Sequence, residues 1–432
     1  MASDGLRGSP DPLSSGAGSS RRHQSSWWVL AGTAVTGIGT YVLLVFTARA
    51  IGPDSYSDFG VFWAVTVIVG LGLFLPVEQE TTRRGAGIAA ASGGLGPLWR
   101  GSSRVALLSA VSIAAGGWLA WRWVGTAVHD QWGLLVAFAI ACLADALLFP
   151  SRGLLAAQRQ FRAYAVVVMV ESVVRAVTAV ALWASGVTSV APYALGVSGS
   201  ALVAGLTGLV LVARSGSGVG GERVERLGRD TARLVVAASS MQTLLNSGTL
   251  VAKLVAAPAQ AAVAGQLLAV MTIARLPVLV FQSLQTVYLT RLAGRWHQGD
   301  RAGVRRLLAL LGLLSGGLAV LLVVGAASFG PWVTTVMFGP DFVVDRITTL
   351  LVALGVGIYL VASVASDSSI AVGRHTVIVS AWVAGLVTGG VVVAVASSLL
   401  GKATLPLIAG ALLAGSVLVV ALVRTTMRGR RT

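Results

Sequence analysis

The chain has 432 residues, of which 55% are hydrophobic and only 11% are charged, and its mean hydropathy is +0.83. These values exclude a soluble globular protein and indicate a membrane protein that crosses the bilayer many times. The net charge of +16 would favour nucleic acid as a partner if it lay on one soluble surface, but the basic residues are distributed between apolar segments. We therefore interpret the charge as a signal of membrane orientation and expect no nucleic-acid partner.

Residues 1–26 are rich in Gly, Ser, Pro and Arg and show no apolar period, which predicts a disordered cytoplasmic tail. Apolar segments of membrane-spanning length follow, and we predict an all-α polytopic membrane protein with about 12 transmembrane helices. The predicted segments are 27–48, 59–77, 105–124, 131–150, 164–185, 190–213, 233–254, 261–288, 307–328, 347–368, 376–399 and 403–423. The longest predicted connections are 78–104, 214–231 and 329–346.

The segments fall into two groups of six around a stretch rich in Gly, Ser and Arg. We predict an N-terminal six-helix lobe at 27–213, a cytoplasmic linker at 214–231, a C-terminal six-helix lobe at 232–424 and a basic cytoplasmic tail at 425–432. Because a repeat with an even number of helices keeps its orientation, the two lobes should be related by a pseudo-two-fold axis along the membrane normal.

The basic residues are distributed asymmetrically between the two sides of the membrane. If the N-terminus is inside, 25 of the 32 basic residues lie on the cytoplasmic side and five lie outside. This asymmetry follows the positive-inside rule and predicts that both termini are cytoplasmic. The excess of Arg over Lys and the abundance of Ala, Gly and Val resemble a bacterium of high GC content, so we predict a bacterial cytoplasmic membrane, whose lipids are expected partners.

The first helical hairpin carries a motif. Segment 27–48 is followed by Arg49, and Gly52-Pro53 interrupts the helix. The stretch resembles the first hairpin of the polysaccharide-export and lipid-linked oligosaccharide flippases of the multidrug/oligosaccharidyl-lipid/polysaccharide (MOP) superfamily, which typically contains Ala-Arg-x-Leu-Gly-Pro-x-x-Tyr-Gly-x-Phe. Ser57 stands where that pattern usually has Gly. The matching positions are Ala48, Arg49, Ile51, Gly52, Pro53, Tyr56 and Phe59.

Two further stretches are similar to the same family. A weaker copy of the hairpin pattern occurs at Lys253, Pro258 and Gly265. The connection after the fourth segment, which begins Arg152-Gly153, resembles the family pattern Arg-Gly-x-x-x-x-x-x-x-Phe. We interpret the arginines of this connection as cytoplasmic anchors.

The resemblance implies two six-helix lobes that face each other across a cavity. It implies a transporter that moves a lipid-linked oligosaccharide or polysaccharide precursor outward across the cytoplasmic membrane by alternating access. The implied substrate is a prenyl-pyrophosphate saccharide, and the implied further partners are glycosyltransferases or a polymerase of the same pathway. In related peptidoglycan-precursor flippases the arginine of the hairpin motif is a cavity residue, so Arg49 is a candidate substrate-binding residue.

Ionisable side chains inside apolar segments are costly unless they face protein, water or ligand, so they are candidates for function. Glu171 and Arg175 are spaced i, i+4 with the acid first, which predicts a pair on one helix face. We assign these two residues, together with Asp145 and Asp367, a coupling or structural role.

Polar faces on the seventh and eighth segments extend this set. They comprise Ser239, Gln242, Thr243, Asn246, Thr249, Lys253, Arg275, Gln282 and Gln285. Because polar faces on several helices cannot all face lipid, we predict that they line a shared hydrated cavity with few acids nearby. Basic groups in such a cavity suit an anionic headgroup. The predicted substrate-binding residues are Arg49, Lys253, Arg275, Asn246 and Gln282.

We predict no enzyme activity, no metal site and no cofactor, because the four histidines lie in tails or loops without a spaced partner. Three alternatives stay open. A multidrug or cation antiporter of the same superfamily would use Asp145, Glu171 and Asp367. A membrane-embedded polysaccharide polymerase or ligase would usually need a larger outer loop than the predicted 329–346. A scaffold for glycosyltransferases would not transport at all.

Overall fold

The structure is a computed structural model that describes residues 16–90, 94–124, 131–215, 229–257 and 260–428. All regular structure within these ranges is helical, so the predicted all-α polytopic fold is confirmed. The helices are α1 (Gly16–Val69), a π-helical turn (Gly70–Phe74), α2 (Leu75–Ala90), α3 (Gly96–Val124), α4 (Gln131–Ala157), α5 (Phe161–Ala184), α6 (Val190–Arg214), α7 (Arg229–Val255), α8 (Ala261–Ala274), α9 (Leu276–His297), α10 (Arg301–Phe338), α11 (Arg346–Ala371), α12 (His375–Val395) and α13 (Leu399–Arg428).

The described helices contain eleven stretches that are long and apolar enough to cross a membrane. The longest of them, Ala34–Ile88, includes the second predicted segment and most of the first, and the other stretches each correspond to one of the remaining predicted segments. The chain is therefore a multi-pass membrane protein, and all twelve predicted segments lie on helices.

The helical hairpin predicted at the first motif is present within α1. At Gly52 the backbone has φ 73° and ψ 170°, so two helices meet there across a kink. This conformation lies in the region that L side chains rarely adopt, which explains the glycine. Pro53 follows and starts the second helix without needing a backbone N–H donor.

Two predicted connections are shorter than the sequence indicated. The predicted loop 78–104 is mostly helical, because α2 continues to Ala90 and α3 begins at Gly96. The predicted apolar segment ended where the first charged residues begin. Glu80, however, pairs within the helix with Arg83 at 2.7 Å and with Arg84 at 2.5 Å, and these pairs support helix beyond the apolar run. Likewise, most of the predicted outer loop 329–346 belongs to α10, which ends only at Phe338.

The helices pack as two groups. In the N-terminal half, α1 packs on α5 and α4 packs on α6, while in the C-terminal half α11 and α12 pack on α13. Each half has its own buried apolar core. The exact lobe boundaries stay a prediction, since most of the linker at 214–231, most of the tail at 1–26 and half of the tail at 425–432 lie outside the described residues.

A third apolar core joins the two halves. It brings Tyr56 and Phe59 of α1 against Phe338 and Phe342, which belong to the C-terminal half. The Tyr56 ring centroid lies 6.0 Å from that of Phe338 and 5.7 Å from that of Phe342. Aromatic pairs at such distances add attraction beyond simple burial. The predicted orientation places this contact on the outer side of the membrane. We call it the closed seam, and we include the neighbouring polar residues Arg49, Ser57, Asp58 and Lys253.

Candidate functional site

A cavity of about 380 Å³ lies between the two halves. Its walls come from α1, the π-helical turn, α4, α5 and α6 on one side and from α7, α8 and α9 on the other. The volume falls within the roughly 300–1,000 Å³ of typical small-molecule pockets. Its polar lining residues are Thr36, Thr40, Tyr41, Thr66, Asp145, Arg152, Glu171, Arg175, Gln242, Asn246, Thr272 and Arg275. We call it the central cavity.

Two ion pairs occupy the N-terminal wall. Glu171 and Arg175 form the pair that their spacing predicted, and the Arg175 guanidinium lies 5.6 Å from the centroid of the Trp63 ring. The sequence did not identify the second pair, in which Arg152 Nε lies 3.1 Å from Glu78 Oε2. Arg152 is therefore a buried cavity residue, and its interpretation as a cytoplasmic anchor is wrong.

The second ion pair is part of a small buried network. Arg152 donates to the Tyr164 hydroxyl at 3.0 Å, and that hydroxyl donates to Glu78 Oε1 at 3.0 Å. The guanidinium also lies 5.1 Å from the ring centroid of Phe149. A guanidinium held by a carboxylate, a hydroxyl and an aromatic face has its charge compensated inside the protein.

Asp145 lies on the same wall in a different situation. It is 7% exposed and lines the cavity, and within the described ranges no hydrogen bond or ion pair to it is present. Gly70 of the π-helical turn makes room for it, because a Cβ at that position would lie 3.2 Å from Asp145 Oδ2. The carboxylate therefore faces the cavity without a direct counter-charge.

Arg275 lies on the opposite wall, at the break between α8 and α9. Pro277, the second residue of α9, has no backbone N–H and accounts for the break. The guanidinium donates to Asn246 Oδ1 at 3.0 Å and to the Leu245 carbonyl at 2.8 Å, and both acceptors are neutral. No carboxylate of the described residues lies within ion-pair distance of Arg275. Its positive charge adds to that of the N-terminal end of α9.

Lys253 lies in the closed seam, away from the central cavity. Its Nζ atom is 2.7 Å from Asp58 Oδ1 and 3.0 Å from Ser57 Oγ. The pair is deeply buried, with 5% of the lysine side chain and 1% of the aspartate side chain exposed. The sequence predicted few acids near these cations, but Lys253 has an acidic partner, because the kink at Gly52 turns Asp58 toward α7. Ser57, the departure from the family pattern, supplies the second contact.

Arg49 also lies in the closed seam. It is exposed, and it donates to the carbonyls of Val336 at 2.6 Å and Met337 at 2.8 Å. These carbonyls belong to the last turn of α10, where such groups have no partner within their own helix. Arg49 therefore caps a helix of the opposite half, and it is not among the residues that line the cavity.

The remaining predicted residues divide between the cavity and its surroundings. Asn246 is fully buried, donates to the Gln242 carbonyl at 2.9 Å and lines the cavity. Asp367 accepts from the Tyr288 hydroxyl at 2.6 Å in the C-terminal half and does not line the cavity. The side chain of Gln282 lies outside the described residues. The structure thus brings Arg275 and Asn246 together with the charged residues on the opposite wall.

Comparison with known proteins gives relatives over almost the whole length. No family model matches the chain. Proteins described as uncharacterised from Mycobacterium bovis and Mycobacterium tuberculosis are 27% identical over 413 residues, which is 91% of this chain and 90% of each relative. The match extends over both halves.

Solved structures share the fold. An inward-facing multidrug resistance MATE family transporter of the MOP superfamily superposes with a TM-score of 0.70 at 13% identity, over 94% of this chain and 99% of that one. An outward-facing structure gives 0.62 at 14% identity, over 94% and 95%. A MOP superfamily transporter from Pyrococcus furiosus, for which a reversed polarity of the binding pocket is said to suggest a different function, gives 0.62 at 12% identity, over 94% and 95%. The chain has the fold of the MOP superfamily transporters.

Proposed function

We propose that this protein is a transporter that moves a lipid-linked saccharide precursor outward across the bacterial cytoplasmic membrane by alternating access. The fold and the cavity between two lobes support transport, and the first-hairpin motif supports the substrate class. Glycosyltransferases or a polymerase of the same pathway would supply and consume such a substrate.

The observation that carries the substrate class is the environment of Arg275. A buried guanidinium in a membrane protein is costly unless an opposite charge compensates it. Arg152 and Arg175 have carboxylate partners, whereas among the described residues Arg275 has only the neutral oxygens of Asn246 and Leu245. A pyrophosphate in the cavity would provide the missing negative charge, and its oxygens match the forked donors of arginine.

The closed seam supports the direction of transport. It joins the two halves on the predicted outer side, so in this conformation the central cavity is separated from that side. A precursor made in the cytoplasm would then reach the cavity from the inner side. Opening the seam while the inner side closes would release it outward.

A multidrug antiporter is the second candidate, and two observations favour it. Several proteins of this fold are multidrug transporters, and Asp145 is a cavity carboxylate with no direct partner in the described residues. Against it, the cavity lining contains Arg152, Arg175 and Arg275 but only two acids. An organic cation would therefore meet a lining that is basic overall, and Asp367 is already bonded to Tyr288 outside that lining.

The test replaces Arg275 in the native host. In cells depleted of the protein, we expect a prenyl-pyrophosphate saccharide to accumulate on the inner leaflet, as measured by mass spectrometry of extracted lipids and by its protection from enzymes added outside. Wild-type protein should relieve the accumulation, whereas Arg275→Gln should not, and Arg275→Lys should relieve it partly because the charge is kept.

The matched control is Arg305→Gln, which removes an exposed arginine from the start of α10. It should behave as wild type. The proposal is wrong if depletion causes no such lipid to accumulate, or if Arg275→Gln restores export fully. If the depleted cells lose drug resistance and accumulate no such lipid, the protein is the antiporter instead.

A further inference from the structure

The central cavity contains polar atoms, on α1 and α5 of the N-terminal half and on the facing α7, that have no partner among the described residues. They are Thr66 Oγ1, Gln242 Oε1 and Arg175 Nε. Asp145, 7% exposed, likewise has no hydrogen bond or ion pair within the described ranges, and all four residues line the cavity. Buried polar groups in native proteins almost always have partners, so a cluster without them requires an explanation.

The chemistry of these atoms defines the group that would satisfy them. Asp145 and Gln242 present oxygen acceptors, the Thr66 hydroxyl accepts and donates, and Arg175 Nε donates only. A phosphate group only accepts and would be repelled by Asp145, and a protonated amine only donates and cannot use Arg175 Nε. A hydroxyl group does both. We infer that Thr66, Asp145, Arg175 and Gln242 form a subsite for the hydroxyl groups of a saccharide.

The contacts around these atoms leave them accessible to a ligand in the cavity. Glu171 bonds one end of the Arg175 guanidinium, and the ring of Trp63 supports the group from its face, which fixes the direction of Nε. Gly70 allows Asp145 to lie close against the π-helical turn. Arg152 pairs directly with Glu78 and makes no ion pair to Asp145 in the part of the chain that the structure describes.

This subsite rests on the proposed function, since it divides one ligand between two parts of the cavity. Arg275 would hold the pyrophosphate, and Thr66, Asp145, Arg175 and Gln242 would hold the sugar. An apolar chain attached to the pyrophosphate would leave the cavity toward the membrane. Each part of the cavity can therefore be tested with a ligand that carries one group or both.

The experiment measures binding by calorimetry with the full-length protein in lipid nanodiscs. The first probe is farnesyl pyrophosphate, which has no sugar. The other probes are farnesyl pyrophosphates that carry a single hexose, N-acetylhexosamine or pentose. We expect at least one saccharide probe to bind the wild type more tightly than farnesyl pyrophosphate does.

Two variants remove acceptors from the subsite. Gln242→Met keeps the size of the side chain, and Asp145→Leu removes the carboxylate. Each variant should weaken the binding of the saccharide probe by about tenfold, which is the effect of one lost hydrogen bond to a buried polar group. The binding of farnesyl pyrophosphate should be unchanged. Arg275→Gln should weaken both kinds of probe equally. Ser240→Ala is the control on α7, because that hydroxyl bonds the Val236 carbonyl and does not line the cavity.

The outcomes separate the two proposals. The subsite is wrong if every saccharide probe binds the wild type no better than farnesyl pyrophosphate, or if Gln242→Met, eluting as folded protein, weakens both kinds of probe alike. In either case the proposed function still stands, provided that farnesyl pyrophosphate binding depends on Arg275. If Arg275→Gln binds farnesyl pyrophosphate as the wild type does, the proposed function fails and the subsite fails with it.

Discussion

The closed seam and the central cavity both lie between the two halves, and each contains a buried cation contributed by the C-terminal half. In the seam, Lys253 meets Asp58 at 2.7 Å, so both charges are compensated across the interface. In the cavity, Arg275 meets only neutral oxygens within the described part of the chain. The seam cation therefore pairs across the two halves, whereas the cavity cation is the one that we propose to bind the ligand.

The difference also predicts how each region responds to change. A buried ion pair contributes little relative to apolar packing, but removing one partner is expensive because the other charge stays buried. The groups in the central cavity face open space between the two halves, so the loss of a partner there should cost less. Mutations in the seam and in the cavity, ranked by the size of their expected effect, can test this difference.

The largest effect on stability is expected from Asp58→Ala. It leaves the Lys253 ammonium buried without its counter-charge, and we expect the free energy of unfolding to fall by about 3–5 kcal/mol. Thermal unfolding of the purified protein in detergent measures the loss. The double variant Asp58→Ala/Lys253→Met should recover much of it, because no charge is left unpaired. A double variant as unstable as the single one would show that packing, not charge, dominates the seam.

A smaller effect is expected from breaking the cavity pair with Arg175→Ala. Glu171 stays partly exposed to the cavity, with 18% of its side chain accessible, so we expect a loss of about 1–3 kcal/mol and a lower yield of folded protein. The charge swap Glu171→Arg/Arg175→Glu should recover the yield, because it restores the ion pair, but it should recover little transport, because Glu at position 175 lacks the Nε donor of the saccharide subsite. Full transport by the swapped variant would show that the pair is only structural and that Arg175 does not bind the saccharide.

The third prediction concerns the opening of the seam. In a Cys142→Ser background, a Thr40→Cys reporter in the cavity should react slowly with a membrane-impermeant maleimide added outside intact cells. Removing both seam charges with Asp58→Asn/Lys253→Gln should raise the reaction rate by about tenfold, since the closed state loses its charge pair. Lys402→Cys, on the predicted outer side, serves as the control with a constant rate. Equal reporter rates in both backgrounds would mean that the seam pair does not hold the cavity closed.

The smallest effect is expected from Arg49→Ala. The side chain is exposed, and its two hydrogen bonds to the carbonyls of Val336 and Met337 compete with water, so we expect a loss of about 0.5–1 kcal/mol. Thermal unfolding and lipid accumulation should both stay near wild type. Loss of export at normal stability would return Arg49 to the substrate-binding role that the family resemblance implied.

Some of this architecture could be predicted from the sequence, because it depends on local composition and spacing. A membrane-spanning helix requires about 20 consecutive apolar residues, and the segments follow from that rule. The Glu171–Arg175 pair follows from a spacing of four residues on one helix. The kink at Gly52 follows from Gly before Pro. The extension of α2 was missed because the charges beyond its apolar run were read as a loop, whereas Glu80 pairs with Arg83 and Arg84 within the helix.

The sequence by itself therefore determined the helices, the helical pair and the identity of the intramembrane charges. Only the tertiary structure decided which charges meet. Asp58 and Lys253 lie on different lobes, and Glu78 and Arg152 lie on different helices, so neither contact leaves a periodic signal along the chain. Lys253 and Arg275 differ in their environments for the same reason. Each is a cation on a helix with a polar face, and the presence or absence of a carboxylate from a distant helix determines whether its charge is compensated.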